Sequence, residues 1–500
     1  MQNSKNDSQL NLDCKIRLLL LLDQKEKIVC EKSYFVFFKW AWKVLEPHTP
    51  LKLNWHMEYL CDLLQKEIER IGKGLPKKKD IIINVPPRSA KSYITSVMLQ
   101  PWAWIHYPHL KFISSSHSKE LSTMHCVYSR DLIQSDWYQK HWGKNYQLTD
   151  DQNAKTYYQN SARGHRIATS VSGGAIGKGA DIIVADDLLN AEEVESEKAR
   201  KAANNHYDTG LYTRINDLEV GIRIVVMQRL HEDDVTGHLL KKNKDGYLHI
   251  NIPAELTNES LGTEYDVKPP ELKEFYTDNL FFPTRFTRPV LEEAKTIVGS
   301  HAYPGQFLQR VSPPGGNIFK RKWFNYYLNP PESFERVIQV WDMRFKEGQT
   351  GSFVVGQVWG RVQKKNYLLH QYRKRADFLE SRQAVLDLTR LYPSAYKKIF
   401  ENKANGPAIE NSLKSLVKGI EFYDPKGASK ESRWMSIAPR VELGTTYLPH
   451  PDQNPWVEDL LKELENVPNA ANDDQADCLF MAINEFEGST IEDLKALLKF

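Results

Sequence analysis

Several acidic, basic and hydroxyl side chains in this 500-residue chain sit where elementary chemistry leaves them few roles. Asn84-Val-Pro-Pro-Arg-Ser-Ala-Lys-Ser92 follows a short β-branched run and precedes a helical stretch. Such a strand-to-helix turn points backbone N–H groups and the positive end of a helix dipole at an anion. Lys91 can then reach the β- and γ-phosphates of a nucleotide, and the Ser92 hydroxyl can ligate Mg2+. The formal GxxxxGK[ST] pattern fails at both glycines, where Val85 and Ala90 stand. The same residues also read as a Pro-rich turn before a basic helix start.

A second group lies downstream. DIIVADD is an apolar run ending in Asp186 and Asp187; in phosphate-transfer sites the first such carboxylate holds Mg2+ and the next polarises the attacking water. The alternative is a strand that ends in an acidic turn. Gly173-Gly-Ala-Ile-Gly-Lys-Gly179 just before it can bring Lys178 to a phosphate, or can be a surface hairpin. IRIVVMQ then sets Gln228 and Arg229 directly after a buried strand, at the edge of a sheet where α/β proteins bind ligands. The HEDD that follows suits a helix N-terminus, and His231 reads as a solvated or capping residue rather than a metal ligand.

A third group is carboxylates alone. Asp342 interrupts the apolar run VIQVWDMRF, and an acid buried there needs a compensating cation or donor. Glu401 ends the run KKIFE, and Asp473, Asp474 and Asp477 open a helical stretch in which they can share a face. Acids converging from separate strands and a helix are the ligand set of a two-metal phosphodiesterase. Helix capping also accounts for Asp473 and Asp474.

These groups need elements to position them. The stretch from Ser33 to Pro47 and Leu53 to Ile68 carry helical patterns, with Gly72 and Gly74 as stops. Strand-like runs at Lys111–Ser116, Asp181–Asp187 and Ile222–Gln228 alternate with helices, which predicts a parallel α/β sheet. Pro304–Phe319 is rich in Pro and Gly and marks an inter-domain connection. Beyond it VIQVWDMRF, SFVVGQVWGRV and NYLLHQYRK predict three consecutive strands, then the strand KKIFEN and a last helix from Asp473. The expected organisation is an arm over 1–33, a first domain over 34–310, a linker over 311–332, a second domain over 333–488 and a tail over 489–500.

Composition bounds the partners. Hydrophobic residues make up 41% and aromatics 11%, enough for real cores and against a disordered chain. Lys and Arg number 67 against 64 Asp and Glu, a net charge of +3, which excludes a uniformly basic coat. Local basic clusters remain at Lys77–Lys79, Lys241/Lys242/Lys244, Lys364/Lys365 with Arg373–Arg375, and Lys430/Arg433. The five cysteines are scattered without metal or CxxC spacing, which reads as reduced thiols in a cytoplasm-like compartment. The longest early apolar run, Leu18–Leu22, is too short for a membrane span, and no signal-peptide pattern is expected.

In order, LNWHMEYL, INVPPRSAKS, GKGADIIVADD, VVMQRLHEDDVTGHLL, QRVSPPGG, WDMRFKEG, ENKANGPAI and NDDQADCLFMAI resemble the large terminase subunit of tailed bacteriophages, over roughly Tyr34 to Glu485. The resemblance implies an N-terminal P-loop ATPase domain with a parallel sheet and a C-terminal RNase H-like nuclease domain. It implies ATP and Mg2+ as cofactors, with Mn2+ an option at the nuclease site. Pro87, Arg88, Ser89, Ala90, Lys91 and Ser92 would form the phosphate loop, with Arg88 on the γ-phosphate and Ser92 with Asp186 holding the metal. Asp187 would be the catalytic acid of the ATPase, and Gln228–Arg229 its coupling motif. Trp55 and His56 fall in a segment near the nucleotide base. Asp342, Glu401 and Asp477 would hold nuclease metals, with Asp474 auxiliary.

The implied function is ATP-driven translocation of double-stranded DNA into a procapsid and metal-dependent cutting of concatemers. The implied partners are the small terminase subunit, the portal protein and further copies of the chain in a ring, in the cytoplasm of an infected bacterial host and away from any membrane. Two features depart from the pattern: Ala90 replaces the glycine before the lysine, and Gly351-Ser352 stands where an acid often follows the first nuclease strand. Two other readings are a helicase or translocase whose second domain binds nucleic acid without cutting, and an inactive prophage relative acting only in assembly.

Overall fold

The computed structural model describes residues 21–173, 177–311, 318–343, 353–401, 412–425 and 429–497, with side chains of the last helix described as far as residue 487. Most of QRVSPPGG, WDMRFKEG and ENKANGPAI, the middle of the Gly173–Gly179 segment, and Gly351-Ser352 lie outside the described residues. The chain divides into two compact units, Met1–Leu291 with Ala302–Ser312, and Glu292–His301 with Pro313–Phe500.

In the first unit, β1 (Asp80–Asn84), β2 (Phe112–Ser116), β3 (Leu148–Ala154), β4 (Tyr157–Asn160), β5 (His165–Ser170), β6 (Ile182–Asp186), β7 (Ile222–Met227) and β8 (Tyr247–Asn251) form one sheet. Their order is β3-β4-β5-β2-β6-β7-β1-β8. From β5 to β8 every neighbouring pair is parallel, and β3, β4 and β5 add an antiparallel ribbon at one edge. Every residue of β1, β2, β6 and β7 is buried, as expected of parallel strands covered on both faces, which is why DIIIN, IIVAD and IRIVVM read as nearly unbroken apolar runs. Because β1, β6 and β7 run the same way, the segments after them open on one edge of the sheet.

Residues 21–32 are helical, and Glu26 and Glu31 accept hydrogen bonds from the indole N–H groups of Trp137 and Trp142 at 2.6 and 3.0 Å. The helix Tyr34–Leu45 follows, its first turn capped by the Ser33 hydroxyl. It buries Tyr34 against Trp102 and Phe37 against Trp142, with ring centroids 5.2 and 5.6 Å apart.

The second unit holds β9 (Asn325–Tyr327), β10 (Arg336–Asp342), β11 (Phe353–Val362), β12 (Lys365–Arg375), β13 (Lys397–Glu401), β14 (Ile420–Tyr423) and β15 (Thr446–Pro449), in the order β14-β13-β10-β11-β12-β15-β9. The three predicted strands are β10, β11 and β12, an antiparallel meander, while β13 and β14 stack in parallel on the far side of β10. An antiparallel meander with parallel strands beyond its first member agrees with the RNase H-like fold that the resemblance implied. The turn between β11 and β12 places Gln363 and Lys364 at φ 49° and 61°, the left-handed backbone that a two-residue hairpin turn requires.

Side-chain alternation along β10 decides where Asp342 points. Ile338 and Val340 pack with Cys478, Leu479 and Met481 of the last helix, Asp474–Leu497. Val337 and Trp341 face the other way, toward Val385 and Leu388 of the helix Phe378–Leu391. With a period of two, Asp342 shares the face of Val340 and looks toward the last helix. The same holds for Glu401, two residues beyond Ile399 on that face. Trp341 lies across Gly356 of β11, where an added Cβ would sit 2.3 Å from the indole ring.

Candidate functional site

The segment after β1 meets the acids that end β6. Lys91 is buried, with Nζ 3.1 Å from Asp187 Oδ2. Ser92 Oγ donates to Asp186 Oδ1 at 3.1 Å, and Ser96 Oγ donates to Asp186 Oδ2 at 2.7 Å. Both oxygens of Asp186 are therefore held by hydroxyls one helical turn apart. Burial raises the pKa of both acids above the usual carboxylate range; the Ser96 hydrogen bond opposes it most at Asp186 and the Lys91 charge most at Asp187.

The backbone here is unusual. Arg88 and Ala90 both take φ 62°, and Asp187 takes φ 47°. Non-glycine residues in left-handed backbone cost energy and cluster where the surrounding structure enforces them for function. Ala90 thus adopts the conformation that a glycine would take freely. Ser89 is buried and its hydroxyl donates to Pro86 O at 2.8 Å, Pro87 is half-buried, and Arg88 is exposed.

Three histidines around this turn escaped the sequence reading in their actual roles. His56 Nε2 donates to Ser89 O at 2.9 Å, and its Nδ1 accepts from the Asn54 side-chain amide at 2.8 Å, so the ring is neutral and braces the loop from below. Burial pushes its pKa down to about 4. His117 Nδ1 donates to Asp187 O at 3.0 Å. His125 lies 3.6 Å from Asp186 Oδ2, and burial lowers it to about 4, so this contact is not an ion pair at neutral pH. Trp55 stacks on Phe275 and donates to Phe281 O at 3.0 Å.

Gln228 and Arg229 differ in their partners. Gln228 Oε1 is buried and accepts no hydrogen bond among the described residues. Arg229 is held by Asp234, Nε to Oδ2 at 2.9 Å, while its N–H donates to Gln309 Oε1 at 2.9 Å. Asp234 caps the helix Val235–Asn243 through Gly237 N at 2.8 Å, so the acidic turn does act as a helix start. His231 Nδ1 accepts from Asp233 N at 2.9 Å, a local turn contact. Lys178 donates to the Tyr157 hydroxyl at 2.6 Å and lies over that ring.

In the second unit, Asp342, Glu401 and Asp477 converge. All three are buried, and one ligand oxygen from each lies within 4.8 Å of the others. Two strand ends on one face and the first turn of a helix thus meet at a point. Asp474 is buried but does not belong to this triad. Hard oxygen donors in such density suit Mg2+ or Mn2+, so the residues fit the divalent ions that the sequence implied. The cluster also draws in groups that spacing did not reveal. Arg433 Nη1 donates to Glu401 Oε1 at 3.0 Å, and Trp434 Nε1 donates to Asp477 Oδ1 at 3.1 Å. Burial lifts Asp477 to about 6, against the pull of Lys430 and Arg433. Cys478 is buried against Val355 O at 3.6 Å and faces the sheet.

Basic clusters fare unevenly. Lys241 and Lys242 pair with Glu232, Asp233 and Asp208, and Lys77 pairs with Asp80. Arg373 lies over the Phe353 ring at 4.2 Å and 3.5 Å from Glu463. No helix among the described residues is long and apolar enough to cross a membrane.

No protein-family model matches the chain, nor does any curated protein. Solved structures do match, and they include bacteriophage large terminases. One large terminase, from a thermophilic bacteriophage, is 13% identical with a TM-score of 0.49, over 84% of this chain and 98% of that one. That of bacteriophage HK97 is 9% identical with a TM-score of 0.33, over 88% and 96%. The large terminase nuclease from a second thermophilic phage, with bound magnesium, is 15% identical with a TM-score of 0.27, over 35% and 98%. The chain is similar to these proteins, but at a distance too great to transfer a residue or an activity; the fold of each unit stands on its own strand order.

Proposed function

We propose that this chain is the large subunit of a phage terminase, an ATPase that drives double-stranded DNA into a procapsid and a metal-dependent endonuclease that cuts the concatemer. The observation that carries the reading is the pairing in one chain of a Lys91–Ser92 turn facing Asp186–Asp187 with a buried Asp342–Glu401–Asp477 triad on an RNase H-like sheet. The first belongs to residues 34–310 as the ATPase domain and the second to residues 333–488 as the nuclease domain, joined by the linker.

In the ATPase, Lys91 binds the β- and γ-phosphates and the exposed Arg88 reaches the γ-phosphate. Ser92 and Asp186 hold the nucleotide's Mg2+, with Ser96 fixing the Asp186 rotamer. Asp187 accepts a proton from the attacking water, and His56 keeps the loop in its strained form through Ser89 O. Gln228 and Arg229 sit where loss of the γ-phosphate is felt and passed along the chain. In the nuclease, Asp342, Glu401 and Asp477 hold Mg2+ or Mn2+, which when bound lowers the pKa of water and offsets charge on the scissile phosphate. DNA is gripped through its phosphates, since packaging is blind to sequence. The small subunit, the portal, a ring of copies and the host cytoplasm belong to the same proposal.

A plasmid-cleavage assay with Mg2+ or Mn2+, run beside ATP turnover, tests it. Asp342→Asn should lose cleavage by at least about 100-fold and keep ATP turnover, while Lys91→Ala should do the reverse. Wild-type protein that binds plasmid without ever nicking it would favour the non-cleaving translocase, and a chain without ATP turnover the assembly-only relative.

A further inference from the structure

The helix Lys430–Glu442 sends two cations into the carboxylate cluster, and they are held in different ways. Arg433 is buried. Its Nη1 lies 3.0 Å from Glu401 Oε1 and its Nη2 3.5 Å from Asp477 Oδ1, with the Phe480 ring 5.6 Å from the guanidinium. Its planar fork is pinned on three sides, as suits a permanent structural counter-charge. Lys430 stands in the first residue of the helix with 27% of its side chain exposed. Its Nζ lies 2.5 Å from Asp477 Oδ2 and 2.6 Å from Asp473 Oδ1. A lysine there can swing its four-carbon stem toward solvent without moving the backbone.

Asp477 is therefore divided. Its Oδ1 faces Trp434 and Arg433, and its Oδ2 faces Lys430. A bridging oxygen pair from Asp473 and Asp477 around one point charge is also what a divalent ion would use. A divalent ion in the place of the Lys430 ammonium would lie between the same two carboxylates, and it cannot share that place with the lysine.

We propose that Lys430 is a displaceable internal counter-ion that occupies the place of a second divalent cation, so that the cluster takes up one ion readily and a second only when Lys430 swings out. The inference rests on the reading of the triad as a metal site. It makes Lys430 a positioning residue that sets metal stoichiometry, and so restrains the two-ion form of the nuclease, rather than a group that touches the reacting atoms.

The test is Mn2+ binding to the full chain without DNA or nucleotide, read by the paramagnetic resonance of free Mn2+ and by calorimetry. Ions lost in Asp342→Asn are those of the cluster. Wild type should bind one such ion tightly. Lys430→Gln, which keeps a donor and loses the charge, should bind a second about tenfold or more tighter than wild type, because a unit charge some 5 Å away repels a divalent ion by that much even in water. Lys430→Arg should behave as wild type. Thermal unfolding gives an independent readout: Lys430→Gln should melt lower than wild type without metal and gain more from Mn2+. An unchanged second-ion affinity and an unchanged Mn2+ shift in Lys430→Gln overturn the role of Lys430 while leaving the metal site intact. No Asp342-dependent Mn2+ in either protein overturns both.

Discussion

In the first unit His56 and His125 are buried and His249 is half-buried, all three in neutral form, and acid should find them. His56 and His125 are pushed down from 6.5 to about 4, and His249 to about 3, in each case chiefly by burial. The sign follows from proton counts: between the folded and unfolded values the unfolded chain binds more protons, so stability is complete above about pH 6.5 and falls as pH drops toward 4. For His56 the two values give a loss of about 2 kcal/mol near pH 5, and the three rings together about 6 kcal/mol, comparable to the whole stability of many domains. Urea unfolding of wild type and His56→Gln near pH 7.5 and near pH 5 isolates one ring, because the other groups cancel in the double difference. Gln can still donate to Ser89 O, and His56→Gln should lose about 2 kcal/mol less than wild type over that interval. Equal losses in the two proteins would refute the argument, since they would mean that folded His56 takes up its proton as readily as a solvated one.

Other expectations follow from particular contacts. Gly356→Ala drives a methyl against the Trp341 ring and should cost about 1–3 kcal/mol of stability in the second unit, seen as a lowered melting temperature. Ala90→Gly relieves a residue that is left-handed already without nucleotide and should stabilise the first unit by about 1 kcal/mol, read as a raised melting temperature; a lowered one would contradict the strain assigned to its φ. Arg433→Met takes the buried guanidinium away from Glu401 and Asp477 and should destabilise the metal-free chain by about 3–5 kcal/mol, with Mn2+ restoring much of the loss in a thermal-shift assay.

Local pattern alone determined most of the central strands, because parallel strands covered on both faces are mostly apolar, as DIIIN, DIIVADD and IRIVVMQ are. It also singled out Asp342 and Glu401, since a carboxylate inside an apolar run is costly wherever the run goes. The edge strands β3 and β4 escaped, because LTDDQNA is solvated and lacks the alternation that burial imposes. Tertiary structure decided the rest. Asp342, Glu401 and Asp477 meet only because β13 lies beside β10 and the last helix crosses the face they share. Arg229 turns to Asp234, His56 reaches under the phosphate turn, and Lys430 and Arg433 enter the acidic cluster. Spacing along a chain fixes which residues share a face of one element; which faces meet depends on strand order and helix packing, and those are properties of the whole chain.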